Sequence, residues 1–181
     1  MPSPNDSIKT LSRALDQMGD VLADIRPDQL TDPTPCKNWD VAHLVGHVVG
    51  GPARFTEAVH GGKPDWSAPP EPAKGDWTGQ FRSDADDLIH AWHQQRDAEE
   101  GAADWQIAEF AVHTWDLVRA TGQDRPLNPA VAERGYAFMS KSLTPENRGP
   151  VFDPEVEAPP DADPYDRIAA FAGREVEGDA P

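Results

Sequence analysis

Apolar side chains recur along this chain at steps of three and four, in blocks separated by proline- and glycine-rich stretches. Ile8, Leu11, Leu15, Met18, Val21, Leu22 and Ile25 describe one face of a helix over 7–25, which Asp6 or Ser7 can cap. Residues 26–38 hold three prolines with Asp28, Thr31, Asp32 and Asn38, and read as a loop. A second helix starts at Asn38 or Asp40 and runs to Val49, where Gly50-Gly51-Pro52 kinks or interrupts it before a continuation over 53–60. Residues 61–80, with four glycines, four prolines and two tryptophans, predict a long loop of the lid or binding type. A third helix over 81–100 sets Phe81, Ala85, Leu88 and Trp92 on one stripe. A fourth, 102–121, ends at Gly122 and is apolar nearly all round, the mark of a buried helix. A shorter helix at 129–143, a proline-rich stretch to about 162, a last helix at 165–172 and a frayed end from Glu175 complete the chain. With no β pattern and no repeat, the expected fold is all-α, a helical bundle.

Composition adds boundaries. The 181 residues suit one domain over 1–181, with 144–181 as a loop-rich tail packed on it. Thirty-two acidic and 16 basic side chains give a net charge of −16, a field that repels phosphate backbones and anionic membranes, so neither nucleic acid nor membrane is an expected partner. Cys36 is the sole cysteine, which excludes an internal disulfide. The N-terminal residues lack the basic and apolar stretches of a signal peptide, and no apolar run approaches the roughly 20 residues of a membrane span. The cytoplasm is the expected compartment.

The chemistry concentrates in the fourth helix. Glu109 and His113 stand four apart, on one face, and Asp116 falls on the same stripe a turn on. Burying a lone carboxylate is costly, so this line needs a basic side chain, a metal ion or its own members as partners. A divalent metal takes imidazole nitrogen and carboxylate oxygen, and three protein ligands leave one position open. His47, in the other strongly apolar helix with histidine, is the third candidate, with Gly50 and Gly51 leaving room beside it. Asp116 is read as a group that orients an imidazole rather than as a ligand. On spacing alone a hydrogen-bonded Glu–His pair remains the simpler reading. His43 points away from the apolar stripe, while His60, His90 and His93 read as surface or loop residues. Cys36 precedes a helix start, where its thiol pKa can be depressed, or it is merely a small packed residue.

The run Thr34-Pro35-Cys36-Lys37-Asn38-Trp39-Asp40-Val41, followed by Leu44, His47 and Gly50, resembles the second-helix start of actinobacterial DinB-like metal-binding proteins. That group is similar to the N-terminal domain of mycothiol-dependent maleylpyruvate isomerase. Glu109-x-x-x-His113-x-Trp115-Asp116-Leu117 with Ala120-Thr121-Gly122 resembles its second motif. In the tail, Gly149-Pro150-Val151-Phe152, Asp166-Arg167-Ile168 and Phe171-x-Gly173-Arg174 fit as well. The resemblance implies a DinB-like four-helix bundle with short additional C-terminal helices. It also implies a divalent metal, zinc first, then nickel or iron, on His47, Glu109 and His113, with mycothiol as co-substrate. The isomerase carries a further C-terminal domain where this sequence has a short tail, so thiol S-transfer to a small electrophile is favoured over isomerisation of maleylpyruvate.

Three functions compete on this reading. The first is a metal-dependent thiol transferase or isomerase, with an open coordination position and a pocket roofed by residues 61–80. The second is a non-catalytic metal-binding or sensing module, with Asp116 or another side chain closing the site. The third is a metal-free scaffold in which Glu109 pairs with His113, Arg119 or Arg134.

Overall fold

The structure, a computed structural model, describes residues 4–149 and 152–176. Among them it is all-helical: α1 Pro4–Ala23, a 3₁₀ turn Pro27–Gln29, α2 Val41–Val59, α3 Trp77–Gln94, α4 Asp104–Thr121, α5 Pro129–Ser142 and α6 Pro164–Phe171. Helices α1 to α4 form the bundle, while α5 packs on α4, and α6 on both α4 and α5. This is why α4 is apolar all round: the bundle takes one side and the C-terminal helices the other, leaving Gln106 through Leu117 buried with the exception of Glu109.

The predicted faces are the buried ones. Leu11, Met18, Val21 and Leu22 of α1, Leu44 and Val45 of α2, and Phe81 and Leu88 of α3 have essentially no exposure. Element ends moved where capping chemistry decided them. α1 begins at Pro4, so Asp6 lies in its first turn, where a carboxylate meets the positive end of the helix dipole. α3 begins at Trp77 rather than 81, because the Asp76 carboxylate accepts from the Gly79 N–H, and it ends at Gln94. Helix α2 runs unbroken through Gly50-Gly51-Pro52 instead of stopping there: one lost N–H is outweighed by burial of Val48, Gly51, Pro52 and Phe55 on one face. Of the tail expected to fray, Val176 is buried and its carbonyl accepts from Arg119, whereas 177–181 lie outside the described residues. The expected tail motif at 149–152 is described only at Gly149 and Phe152.

Two glycines let backbones meet. A Cβ on Gly46 would run into the Glu71 carbonyl, where the 61–76 segment crosses α2 and the Ala73 N–H donates to the Ala42 carbonyl at 2.8 Å. A Cβ on Gly135 would lie 2.8 Å from Ile168 Cδ1 and 3.0 Å from Ala108 Cα, between α6 and α4. Gly135→Ala is therefore expected to lower stability by about 1–3 kcal/mol, overpacking outweighing the better helix propensity of alanine. Thermal unfolding checks this, with a fall of about 2–4 °C per kcal/mol for a chain of this size. Among the described residues no helix is long and apolar enough to cross a membrane.

Candidate metal centre

Glu109 sits in the second turn of α4 with its carboxylate turned toward α2. Its Oε1 lies 2.7 Å from His47 Nε2 and 3.2 Å from His113 Nε2. The two imidazoles meet edge-on, ring centroids 5.0 Å apart. One donor atom from each of His47, Glu109 and His113 falls within 4.8 Å of the others, so the structure brings the three expected residues together.

The tautomer of His113 is set from behind. Its Nδ1 lies 3.0 Å from Asp116 Oδ2, which fixes Nδ1 as a donor and turns Nε2 toward Glu109. Asp116 is fully buried, and Arg174 grips it in fork geometry, Nε to Oδ1 at 3.1 Å and Nη2 to Oδ2 at 2.9 Å. The Arg174 Nη1 donates to the Ala172 carbonyl at 3.0 Å. Asp116 is thus committed to orienting His113. On the other histidine, the Trp39 ring lies against His47 with centroids 4.8 Å apart.

A narrow cleft opens beside the three donors, lined by Val48, Gly51, Arg54, Phe55, Trp66 and Phe110, with room for about one water-sized ligand in this conformation. Trp66, from the 61–76 segment, covers it by packing against Phe55 and Trp105, each with centroids 5.3 Å away. Only Gly51 of the expected glycine pair lines this cleft. Gly50 lines a separate groove on the other side of α2, with Glu71 and Trp77.

Electrostatics follow from this packing. Burial would push His113 down, but the Glu109 charge and the hydrogen bonds to Asp116 and Glu109 outweigh it and raise the pKa to about 9. Burial would likewise raise Glu109, yet His113 and His47 hold it well below the usual carboxylate range; its side chain keeps 30% exposure on the cleft side, which screens part of the effect. Asp116 is also lowered, by His113 and Arg174 against the burial penalty. The metal-free site is an imidazolium held between two carboxylates. A divalent ion must displace the Nε2 proton of His113, so affinity is expected to rise about tenfold per pH unit until the pH passes about 9. Calorimetry in buffers of different ionisation enthalpy checks this through the count of protons released. Without metal, His113 contributes stability fully below the ordinary histidine pKa, and loses it as pH rises through about 9. The two carboxylates contribute above their ordinary pKa values, and lose it as pH falls through their lowered ones.

Cys36 departs from one expectation. Its Sγ lies within 4.8 Å of a His113 nitrogen and an Asp116 oxygen, but it precedes α2 by five residues and sits at no helix terminus. Burial first, then the Asp116 charge, push its thiol up to about 12, with Arg174 opposing. It is a neutral packed thiol and a poor ligand beside an Asp116 already neutralised by Arg174. Of the other histidines, His43 pairs with Asp40 at 2.6 Å, His90 with Gln94 at 2.9 Å, and His60 and His93 are exposed. The expected arginine partners of Glu109 are engaged elsewhere: Arg134 with Asp104 at 2.6 Å, and Arg119 with the Val176 carbonyl and the Trp115 ring.

Residues 11–118, which contain all three convergent donors, match the family model for the mycothiol maleylpyruvate isomerase N-terminal domain. The chain belongs to this family. Two proteins of Mycobacterium tuberculosis described as uncharacterised, from strains CDC 1551 and H37Rv, are each 30% identical over 94% of this chain and 99% of their own length. No solved structure matches the chain. The family match stops before Arg174, whereas the mycobacterial relatives align over nearly the whole chain.

Arg54 and Trp66 line the site without having been singled out from the sequence, and Trp39 and Arg174 stood there only within family motifs. Arg54 had a signal: His47, Gly51 and Arg54 stand at steps of four and three on one face of α2.

Proposed function

We propose that the protein binds one divalent metal ion, zinc foremost, through His47 Nε2, Glu109 and His113 Nε2, and uses it to activate a low-molecular-weight thiol of the mycothiol type for S-transfer to a small electrophile. The observation that carries the reading is the convergence of two imidazole nitrogens and one carboxylate at the base of a cleft. The donor set suits zinc: borderline-soft nitrogen ligands, one hard oxygen, and an imidazole oriented by a buried carboxylate.

The bound ion would supply Lewis acidity, lowering the thiol pKa so that thiolate is present at neutral pH. The protein's own residues do the rest. Asp116 and Arg174 hold His113 in one tautomer, and Trp39 fixes the His47 ring. Val48, Phe55 and Phe110 exclude water from the inner wall, and the exposed Trp66 is the side chain that must shift to admit a substrate. In conjugate addition the sulfur–carbon bond forms as the electrophile's π bond breaks, and a solvent proton ends on the neighbouring carbon. The non-catalytic reading has Asp116 or another side chain closing the site, and the engagement of Asp116 with Arg174 and His113 argues against Asp116 in that role.

The test is thiol conjugation. Protein carrying one equivalent of metal is expected to accelerate addition of mycothiol to an activated alkene, and chelation to abolish the acceleration. A metal-loaded protein that leaves the rate at background across a panel of thiols would sink the catalytic reading and return the site to a binding or sensing role.

A further inference from the structure

Five of the eleven arginines of this acidic chain meet carboxylates. Arg26, Arg82, Arg125, Arg134 and Arg174 each have a carboxylate oxygen at 2.6–3.2 Å. Arg54 does not. Among the described residues it forms no ion pair, although it lines the same cleft as His47, Glu109 and His113. Its guanidinium is held in place by neutral groups: Nη2 donates to the His47 carbonyl at 3.0 Å, and the group lies 5.6 Å from the centre of the Trp66 ring. Its Nε is buried and has no hydrogen-bond partner. A half-buried guanidinium with an idle donor is costly to maintain unless something else meets it.

Its position says what that partner is. Arg54 is two turns beyond His47 on α2 and lines the same cleft as the donor atoms. Glu109 supplies one negative charge there and is already shared between two imidazoles. A divalent ion at that base would leave the cleft net positive, in a chain whose overall charge is −16. Such a pocket concentrates anions, and a planar fork stacked on an aromatic ring matches a carboxylate better than a point charge would.

We propose that Arg54 is the anion-recognition residue of this site, binding a carboxylate of the molecule that occupies the cleft. The carboxylate belongs either to the electrophile or to the thiol. The chemistry of transfer rests on the metal–thiol reading above; the carboxylate binding rests on the unpaired Arg54 guanidinium, to which a bound ion would only add positive charge.

The experiment is a nitrogen–proton NMR titration of the Arg54 Nε–H, identified by its absence in Arg54→Gln, and of the neighbouring Trp66 indole N–H, which reports on the cleft in the Arg54 variants as well, with acetate and with the isosteric neutral acetamide at constant ionic strength. Metal-free and zinc-loaded proteins are both titrated, and metal content is measured on the same samples by mass spectrometry. Acetate is expected to move the Arg54 signal at about tenfold lower concentration than acetamide in both forms, and Arg54→Gln to lose that preference with metal content unchanged. Arg54→Lys, which keeps the charge but not the fork, is expected to retain only part of it. An acetate preference that persists in Arg54→Gln, or an Arg54 signal that acetate does not move, overturns the proposal. A parent protein that takes up no zinc sinks the metal reading instead, and the metal-free titration still decides Arg54. In the conjugation assay Arg54→Gln is expected to raise the KM of whichever partner carries the carboxylate, which separates electrophile from thiol.

Discussion

His113→Ala and Glu109→Ala are each expected to reduce divalent-metal affinity on the order of a hundredfold or more, leaving the purified variants essentially metal-free. Each removes one of only three donors, and neither has a substitute within reach. Asp116 is tied to Arg174 in a fork, and Cys36 carries a thiol pushed up to about 12. His47→Ala is expected to behave alike. Replacing His43, which pairs with Asp40 four residues before His47, is expected to leave the metal in place. Elemental analysis by mass spectrometry, with chelator competition for the affinity, reads all four. A His43→Ala protein that lost its metal while His113→Ala kept it would place the centre elsewhere.

The largest effect on stability is expected from Arg174→Ala. Asp116 has no exposed surface, and Arg174, which forks onto both of its oxygens, compensates its charge together with His113. Removing one partner of a buried pair strands the other, at a cost of about 3–5 kcal/mol. For a chain of this length that is roughly 6–20 °C in melting temperature. The deficit should depend on pH. In the variant the stranded carboxyl titrates at a higher pH than in the parent, so the gap between the two should narrow as acid protonates it. Pairing Arg174→Met with Asp116→Leu is expected to recover much of the loss, since an apolar pair of similar volume has no charge to desolvate. Denaturation of the parent and the two variants at two pH values checks all of this. A deficit from Arg174→Ala that matched an ordinary surface substitution would show that the ion pair is structurally idle.

These two predictions draw on different layers of information. Glu109 and His113 are neighbours on one helix face, and four-residue spacing guarantees their proximity wherever the helix lies. Asp116 follows from the same geometry, and its role in orienting His113 was legible for that reason. His47 comes from another helix, 62 residues away. Its choice as the third donor rested on the apolar character of α2, and on the resemblance that its neighbours Trp39, Leu44 and Gly50 carry.

Local signals also set the helical class and the buried faces, because a 3.6-residue period and capping residues act over one or two turns. They placed the ends of α3 and the path of α2 less well. A capping carboxylate at Asp76, and burial around Pro52, were decided by what packs alongside. Local pattern could not show which distant groups meet. Arg174 reaches Asp116 across 58 residues, Trp66 covers the cleft from a segment without periodicity, and Arg54 is left without a carboxylate partner. Periodicity records which way a side chain faces along its own helix. What stands opposite it depends on how the helices dock, and here that docking brought the ionisable line of α4 together with His47, Arg54, Trp66 and Arg174.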